Sequence, residues 1–364
     1  MSNFLKVINA YANPKKIGYV IFYVTNVCNF RCNFCFYSEE IQKGLKPTLM
    51  TLNEIDKFSS SLNGLLQLSL TGGEPFARKD FNEITEIFIK NTSVKFITIP
   101  TNGSMKDRMV RYLEYILPKF KDTFIRLTFS VDGIGNDHDE NRSMKGSFKK
   151  ITEAYDAISP LRKKYDNLVL DTNTVFTSKT EDNFTDIIDY LVENFQFDNH
   201  SITYARGKIP DESMKSNSRA KYVKAINHLK TLERKKEKRF LYPLYRGVRD
   251  TSWENLITTV FDDKFVTPCV AGKKLVVVSE EGQVYPCEIL GKDKTLGNLR
   301  DYDLDIYKLV NDQKANEVNK FIKDTKCKCS FECALSANVT WNASQYPKLI
   351  KNSIKNIGKG SRIY

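Results

Sequence analysis

Between residues 18 and 204, short apolar segments alternate with amphipathic ones, and this alternation restricts the fold more than any other feature. The apolar segments have the length of strands, and the segments between them carry apolar residues at helical spacing. The predicted strands are 18–25, 65–70, 94–99, 124–131, 168–176 and 200–204. The predicted helices are 51–62, 80–90, 105–116, 147–158 and 182–194. Because strands that alternate with helices pair in parallel, the sequence predicts an α/β fold whose sheet is either open or curved into a barrel.

Polar and glycine-rich residues follow four of the predicted strands directly. They are residues 28–35, 71–75, 101–103 and 132–133. In open parallel sheets and in barrels alike, ligands bind at the carboxyl ends of the strands. We therefore expect these loops to converge on one site.

The alternation stops after the sixth strand. Residues 211–263 predict a charged helical connector, including the run 233–239, and a second domain is expected from about Thr267. The predicted elements of the second domain are a hairpin formed by 274–279 and 283–286 and a short helix at 304–311.

The composition predicts a folded protein without a membrane partner. Its charge of +12 is not gathered on one patch interleaved with aromatic residues, which argues against a nucleic-acid partner. The first ten residues lack the apolar segment of a signal peptide, and no apolar run approaches the ~18 residues that span a bilayer, so we expect a cytoplasmic location. No acid follows Glu332, and the lysine-rich residues 341–364 predict a solvated basic tail.

The eight cysteines form two groups separated by more than 230 residues. The groups are Cys28, Cys32 and Cys35, and Cys269, Cys287, Cys327, Cys329 and Cys333. In a reducing compartment, clustered cysteines indicate metal or redox chemistry rather than structural disulfides. Three thiolates on one loop can hold a 4Fe-4S cluster and leave one iron open. The alternative is a structural zinc site, which needs a fourth ligand that is not evident near this loop.

The first cysteine loop, with Phe36 directly after Cys35, resembles the signature of radical S-adenosylmethionine (radical SAM) enzymes, and the resemblance spans residues 18–206. It implies a partial (β/α)6 TIM-like barrel. It also implies a 4Fe-4S cluster on Cys28, Cys32 and Cys35 whose open iron binds SAM. In that family, electron transfer cleaves SAM to a 5'-deoxyadenosyl radical, which abstracts a hydrogen atom from the substrate.

The resemblance extends to the loops that bind SAM. Residues 71–75 (Thr-Gly-Gly-Glu-Pro) match the family's GGE motif, whose backbone and glutamate hold the SAM amino group. Ser130 and Arg142 are similar to the residues that bind the ribose and the carboxylate, although Arg142 could also be an ordinary surface arginine. The implied SAM-binding residues are Phe36, Gly72, Gly73, Glu74, Pro75, Asn102, Ser130, Asp132 and Arg142.

The second cysteine group resembles the auxiliary-cluster domains of this superfamily, called SPASM and twitch. The spacing from Cys269 through Gly282 to Cys287 matches their opening, whereas the ending at Cys333 has too few cysteines for a full SPASM domain. The resemblance implies one auxiliary 4Fe-4S cluster in a small C-terminal α+β twitch-like domain, with zinc as the alternative. The expected ligands are Cys269, Cys287, Cys329 and Cys333, with Cys327 as an alternate.

Glu288 is a candidate catalytic base, because some SPASM dehydrogenases have an acid at this position, although a solvated glutamate at a hairpin end is the other interpretation.

The expected divisions of the chain are an N-terminal extension (1–17), the barrel (18–210), a helical connector (211–265), the auxiliary cluster domain (266–340) and the basic tail (341–364).

The resemblance implies a radical SAM oxidoreductase that uses the auxiliary cluster as electron acceptor. About 17 residues precede the first strand, too few for a leader-binding domain, so a small molecule such as a sugar or amino-sugar is the expected substrate. The alternatives are a peptide maturase, a tRNA-modifying enzyme and an iron-sulfur protein without enzymatic activity. The expected protein partner is an external one-electron reductant such as flavodoxin or ferredoxin.

Overall fold

The computed structural model describes residues 3–46, 48–216, 218–232 and 242–358. The strands are β1 (Tyr19–Thr25), β2 (Gln67–Gly72), β3 (Phe96–Thr101), β4 (Phe124–Ser130), β5 (Leu168–Phe176), β6 (Asn199–Tyr204), β7 (Leu275–Val278), β8 (Gln283–Tyr285) and β9 (Gly297–Asn298). Within the described residues they form one sheet in the order β6-β5-β4-β3-β2-β1-β7-β8-β9. Strands β1 to β6 pair in parallel with their chain neighbours, which confirms the predicted α/β architecture of a partial barrel.

The helices cover the sheet and the C-terminal part of the chain. They are α1 (Asn3–Ala12), α2 (Ser38–Gln42), α3 (Leu52–Leu62), α4 (Phe81–Thr92), α5 (Lys106–Lys119), α6 (Asn136–Asn141), α7 (Ser147–Ile158), α8 (Phe184–Asn194), α9 (Arg219–Thr231), α10 (Tyr242–Val260), α11 (Ile306–Val310), α12 (Gln313–Asp324), α13 (Glu332–Trp341) and α14 (Tyr346–Lys355). A capping box starts α3: the Thr51 hydroxyl accepts from the Glu54 N–H, and the Thr51 N–H donates to the Glu54 carboxylate.

β1 lies in the middle of the sheet and is buried along its whole length. On one face, the Phe22 ring packs against Phe58 of α3 and Phe88 of α4, with ring centroids 6.3 and 5.7 Å away. On the other face, Tyr19 and Tyr23 belong to a second apolar cluster with residues of the C-terminal part. Burial on both faces explains why the sequence of β1 is apolar without alternation.

The hairpin of β7 and β8 joins the barrel sheet, a connection that sequence patterns did not predict. β7 pairs in parallel with β1 from Leu275 opposite Tyr19 to Val278 opposite Phe22. β8 then pairs antiparallel with β7, as expected for the hairpin. The two pairing segments are about 250 residues apart in the chain. Periodicity within either segment predicts a strand but does not predict that the two strands pair.

The connector and the C-terminal residues are helical. The charged run 233–239 lies outside the described residues, and α9 and α10 flank it. Where a solvated tail was expected, α14 packs against α10: the Asn352 amide donates to the Thr251 hydroxyl at 3.1 Å, and the Asn356 amide donates to Asp250 at 2.9 Å. Within the described residues, none of the helices has the length and apolar character needed to cross a bilayer.

Candidate active site

The loop after β1 places Cys28, Cys32 and Cys35 in a largely buried setting. The N–H of Phe30 donates to the Cys28 sulfur at 3.4 Å, and the N–H of Cys35 donates to the Cys32 carbonyl at 3.1 Å. Burial raises the pKa of the Cys28 thiol to about 11 and that of Cys35 to about 12. Metal ligation needs thiolates, so binding of iron at this loop is coupled to proton release.

Gly72 and Gly73 let the second loop approach the backbone that leads into Cys28. A Cβ atom on Gly72 would lie 2.1 Å from the Thr25 carbonyl oxygen, and one on Gly73 would lie 2.2 Å from the Val27 carbonyl oxygen. These neighbours are backbone atoms, which cannot rotate away as a side chain can. The glycine pair is therefore a packing requirement of the cysteine loop.

Glu74 connects the loops after β2 and β3. Its carboxylate accepts from the Thr101 hydroxyl at 2.9 Å and from the Asn102 N–H at 2.8 Å. Burial raises the pKa of Glu74 to about 7, and these hydrogen bonds oppose the rise. The Asn102 amide donates to the Asn29 side chain at 3.0 Å, which brings the first loop into the same network. The carboxylate also accepts from the Phe76 N–H at 3.3 Å, and because a carboxylate has about four acceptor sites, about one is left for an ammonium group.

Arg142 is buried beside the cysteine loop and is not a surface residue, with 8% of its area exposed. Its Nε donates to Asp132 Oδ2 at 2.6 Å, and Asp132 Oδ1 accepts from the Val175 N–H at 2.6 Å. The guanidinium lies 5.5 Å from the Phe34 ring. Burial raises the pKa of Cys32, and the charge of Arg142 opposes that rise, as expected for a cation close to the thiol.

These contacts bring most of the predicted SAM-binding residues to one end of the sheet, next to the cysteine loop. The residues joined in this way are Cys28, Gly72, Gly73, Glu74, Asn102, Asp132 and Arg142. Pro75 begins the buried turn after Glu74, and Ser130 is the half-buried last residue of β4. The direct roles of these side chains toward SAM remain predictions.

The second cysteine group lies beside the β7–β8 hairpin and the start of α13. The Leu290 N–H donates to the Cys287 sulfur at 3.4 Å, and the Phe331 N–H donates to the Cys329 sulfur at 3.5 Å. Burial raises the pKa of Cys329 to about 12, and the nearby Cys269 and Cys327 add to the rise.

Cys333 has different neighbours. Burial raises its pKa to about 12, Glu288 adds to the rise, and Arg206 opposes it. Electrostatic interactions connect Cys269, Cys287, Cys327 and Cys329 with one another, whereas the neighbours of Cys333 are Glu288, Arg206 and Tyr19. The expected ligand set with Cys333, and Cys327 as its alternate, remains a prediction. Among the described residues, no group of three or more Cys, His, Asp or Glu side chains is compact enough for a single metal ion. A four-iron cluster is larger than one ion and takes thiols that are set farther apart.

Tyr23, Arg206, Glu288 and Glu332 form a largely buried group, which we call the Arg206 cluster. It packs against Phe36, the residue after Cys35, and against Phe331, which lies between Cys329 and Cys333 in the chain. Arg206 pairs with Glu288 at 2.9 Å and with Glu332 at 2.6 Å. The Tyr23 hydroxyl donates to Glu288 at 2.7 Å. Glu288 is therefore held in an ion pair rather than solvated at a hairpin end.

Sequence reasoning found Glu288 but missed its partners. Arg206 is the second residue after β6, so the rule that site residues follow strands could have found it. Glu332 lies next to Cys333, and the Tyr204 N–H donates to its carboxylate at 2.6 Å. Tyr23 lies within a fully apolar strand, where no sequence signal separates a site residue from the core.

A cysteine loop beside a glycine-glutamate turn and a buried arginine, followed by a second cysteine group, is the arrangement that the resemblance to radical SAM enzymes implied. The profile of the radical SAM superfamily matches residues 22–191, and the profile of SPASM, an iron-sulfur cluster-binding domain, matches residues 269–334. Residues 22–191 are thus a radical SAM domain, and residues 269–334 are a SPASM domain. These domains bind 4Fe-4S clusters and SAM, as predicted.

The relatives agree with this assignment. GTP 3',8-cyclase of Clostridium botulinum (strain Okra / Type B1) is 32% identical over 139 residues, which are 38% of this chain and 42% of that protein. The chain thus spans less than half the length of this curated relative. Native anSMEcpe with bound AdoMet and Cp18Cys peptide superposes with a TM-score of 0.58 at 18% identity, over 93% of this chain and 99% of that one. Streptococcus suis SuiB bound to S-adenosylmethionine gives a TM-score of 0.59 at 17% identity, over 84% and 68%. Identities this low show the fold alone.

We expect Arg142→Lys to weaken SAM binding roughly tenfold or more, because lysine keeps the charge but loses the planar, two-pronged geometry. The measurement is an anaerobic SAM titration of the reconstituted protein. Arg31→Lys is the matched control, because Arg31 is an exposed arginine of the cysteine loop that donates to the Cys28 carbonyl. Equal affinities of the two variants would contradict the role of Arg142.

Proposed function

We propose that this chain is a radical SAM oxidoreductase that removes two hydrogens from a small hydroxylated molecule such as a sugar or an amino-sugar. The observation that supports it best is the Arg206 cluster, whose arginine packs against Phe36, next to Cys35, and against Phe331 of the second cysteine segment. Its acids are adjacent in sequence to Cys287 and Cys333. A substrate bound against this cluster would contact residues that adjoin both cysteine groups in the chain.

The residues present fit the cofactors that these domains bind. Cys28, Cys32 and Cys35 would hold the first cluster, and four of the five later cysteines would hold the second. The Gly72–Gly73 cradle and the buried Arg142 suit the amino and carboxylate groups of SAM. When bound, the first cluster and SAM supply the radical that takes a hydrogen atom from the substrate, and the second cluster supplies an acceptor for the remaining electron.

In this proposal Glu288 accepts the substrate proton. Tyr23 and Arg206 each donate to one of its oxygens, which fixes the orientation of the carboxylate. Arg206 lies between the rings of Phe36 and Phe331, whose centroids are 5.3 and 4.9 Å from the guanidinium carbon. These rings exclude water from the charged group, which strengthens its electrostatic interactions.

The same groups suit a hydroxylated substrate. The Nε of Arg206 is buried and has no hydrogen-bond partner among the described residues, so a donor is available. The carboxylates of Glu288 and Glu332 are acceptors beside it. A substrate hydroxyl both donates and accepts, and an ammonium group donates, so sugars and amino-sugars match this arrangement.

A peptide substrate is the second candidate. It is favoured by the similarity over nearly the whole chain to anSMEcpe, whose structure contains a bound peptide. Incubation of the reduced protein with SAM and each substrate class, followed by mass spectrometry, separates the two candidates. The expected product lacks two hydrogens and forms together with 5'-deoxyadenosine.

The iron content tests the two-cluster assignment. We expect about eight irons per chain after anaerobic purification, because each cluster contributes four. Metal analysis by plasma mass spectrometry measures iron and zinc together. About four irons and one zinc would show that the second cysteine group is a structural zinc site, and intact clusters without SAM cleavage under strong reductant would show a protein without this activity.

We expect Glu288→Gln to lower substrate oxidation by about 10²- to 10⁴-fold, which is the usual contribution of a general base. The affinity for SAM should not change. Glu281→Gln is the matched control on the same hairpin, since Glu281 pairs with Lys46 at its outer end. Unchanged turnover in Glu288→Gln with intact clusters would disprove the role as base.

A further inference from the structure

A basic groove lies on the outer rim of the barrel, where α4, α5 and α7 begin. Its volume is about 670 Å³, and a smaller cavity of about 200 Å³ adjoins it and shares Arg108 and Arg111. The cationic residues that line the two are Arg78, Lys79, Lys106, Arg108, Arg111 and Lys150. The acidic residues that line them are Asp107 and Glu153. Arg78 is paired with Asp80 at 2.6 Å, so its charge is neutralised locally. The other five cations still exceed the two acids, and the groove has an excess of positive charge.

Several of these cations are available to a partner. Lys79, Arg111 and Lys150 are exposed. The guanidinium of Arg108 donates to the Phe76 carbonyl at 2.9 Å, so no carboxylate neutralises it there. Glu153 faces Lys149 at 3.9 Å, which reduces its effect on the groove.

The groove lies close to the first cysteine loop. Ser104 lines it, and the Asn29 side-chain amide donates to the Ser104 hydroxyl at 2.9 Å. Asn29 directly follows Cys28 in the chain. The Asn102 amide also contacts Asn29, at 3.0 Å, so a short polar path joins the wall of the groove to the cysteines.

We infer that the basic groove docks an acidic one-electron carrier protein, which delivers the electron that the proposed function requires. Complementary charge would steer the carrier to the side of the barrel nearest Cys28 and fix its orientation there. The inference deepens the proposed function and rests on it. In each encounter the reduced carrier loses one electron and the protein-bound cluster gains it, and no atom is transferred.

The lining does not favour a nucleic acid. The aromatic residues that line the smaller cavity, Phe76, Phe81 and Tyr112, are each at most 2% exposed. Proteins that bind single strands use exposed aromatic rings on which bases stack. A basic groove without such rings suits an acidic protein surface better.

The test combines binding with turnover. The triple variant Lys79→Glu, Arg111→Glu and Lys150→Glu reverses the charge at three exposed positions of the groove. The triple variant Lys314→Glu, Lys320→Glu and Lys323→Glu makes the same change in net charge on exposed residues of α12. Binding of a flavodoxin to each reconstituted protein is measured by titration calorimetry at several salt concentrations, and SAM cleavage is measured with reduced flavodoxin and, separately, with dithionite.

Charge reversal in the groove should raise the Kd for flavodoxin roughly tenfold or more at low salt, and this effect should become smaller as salt is added. Flavodoxin-driven cleavage should fall, dithionite-driven cleavage should not change, and the α12 variant should resemble the unmodified protein. Equal flavodoxin binding by both variants would overturn the inference, as would loss of tRNA binding alone from the groove variant. Absence of SAM cleavage with dithionite in the unmodified protein would instead overturn the proposed function. In that case the flavodoxin-binding measurement alone would test the docking site.

Discussion

Gly73→Ala should remove the iron of the first cysteine loop and reduce SAM cleavage by at least about a hundredfold, the effect expected when a reacting group is displaced by about 1 Å. The new Cβ would lie 2.2 Å from the Val27 carbonyl oxygen and 2.9 Å from the Cys28 nitrogen. Because both atoms are backbone, the loop that carries Cys28 must move. The second cysteine group lies on other elements and should keep its iron.

The measurement is iron content together with the spectrum of the reduced protein, which should lose about four irons per chain. Gly44→Ala is the control, because Gly44 has φ +68° but no atom within 4 Å of its ideal Cβ. That change costs about 1 kcal/mol of backbone strain and meets no neighbour. Full iron content in Gly73→Ala would show that the close approach is not required.

Arg206→Met should destabilise the fold by about 3–5 kcal/mol, because it leaves two carboxylates buried without a cation. Glu288 and Glu332 lose their shared partner, and their repulsion is no longer balanced. Burial already raises the pKa of Glu332, and Arg206 opposes that rise. Without Arg206 the pKa of Glu332 rises further, so the loss of stability should be smaller at mildly acidic pH, where the Glu332 carboxyl group takes up a proton, and larger at neutral pH.

Thermal unfolding of the variant and of the unmodified protein, at mildly acidic pH and at neutral pH, measures this loss of stability. Glu332→Gln added to Arg206→Met should restore part of the stability, because it removes one of the unpaired charges. Arg300→Met is the control: Arg300 pairs with Glu54 at 2.6 Å on the surface, where an ion pair contributes less than about 1 kcal/mol. Equal effects of the two arginine substitutions, or no pH dependence, would contradict the assigned role of Arg206.

The barrel was accessible to sequence reasoning because its signals are local. β5 (Leu168–Phe176) and α7 (Ser147–Ile158) have the predicted bounds, since strand and helix periodicity each need only a short window. The pairing of β7 with β1 could not be predicted, because the sequence of neither strand contains a signal that identifies its parallel partner. The packing of α14 was missed for a related reason: its lysines suggested solvent, whereas Leu349 and Asn352 are buried.

The residues of the candidate site also fall into those that the sequence identifies and those that only the structure identifies. The cysteine loop and the Gly72–Gly73 turn were identified because their residue types have narrow chemical uses. Arg142 was named, but only the structure shows that it is buried against Asp132. Arg206 and Tyr23 are common residue types, and their contacts in the Arg206 cluster are with partners that are distant in sequence.

The ladder between β1 and β7 also determines which parts of this protein can exist alone. A fragment that ends before Cys269 would leave β1 as an edge strand, with unpaired backbone groups along Tyr19–Phe22 and an apolar face exposed. Such edges recruit other chains and aggregate. The SPASM hairpin extends the sheet past β1 and covers this edge. We therefore expect the radical SAM segment to fold and to stay in solution only when it is expressed together with the SPASM segment.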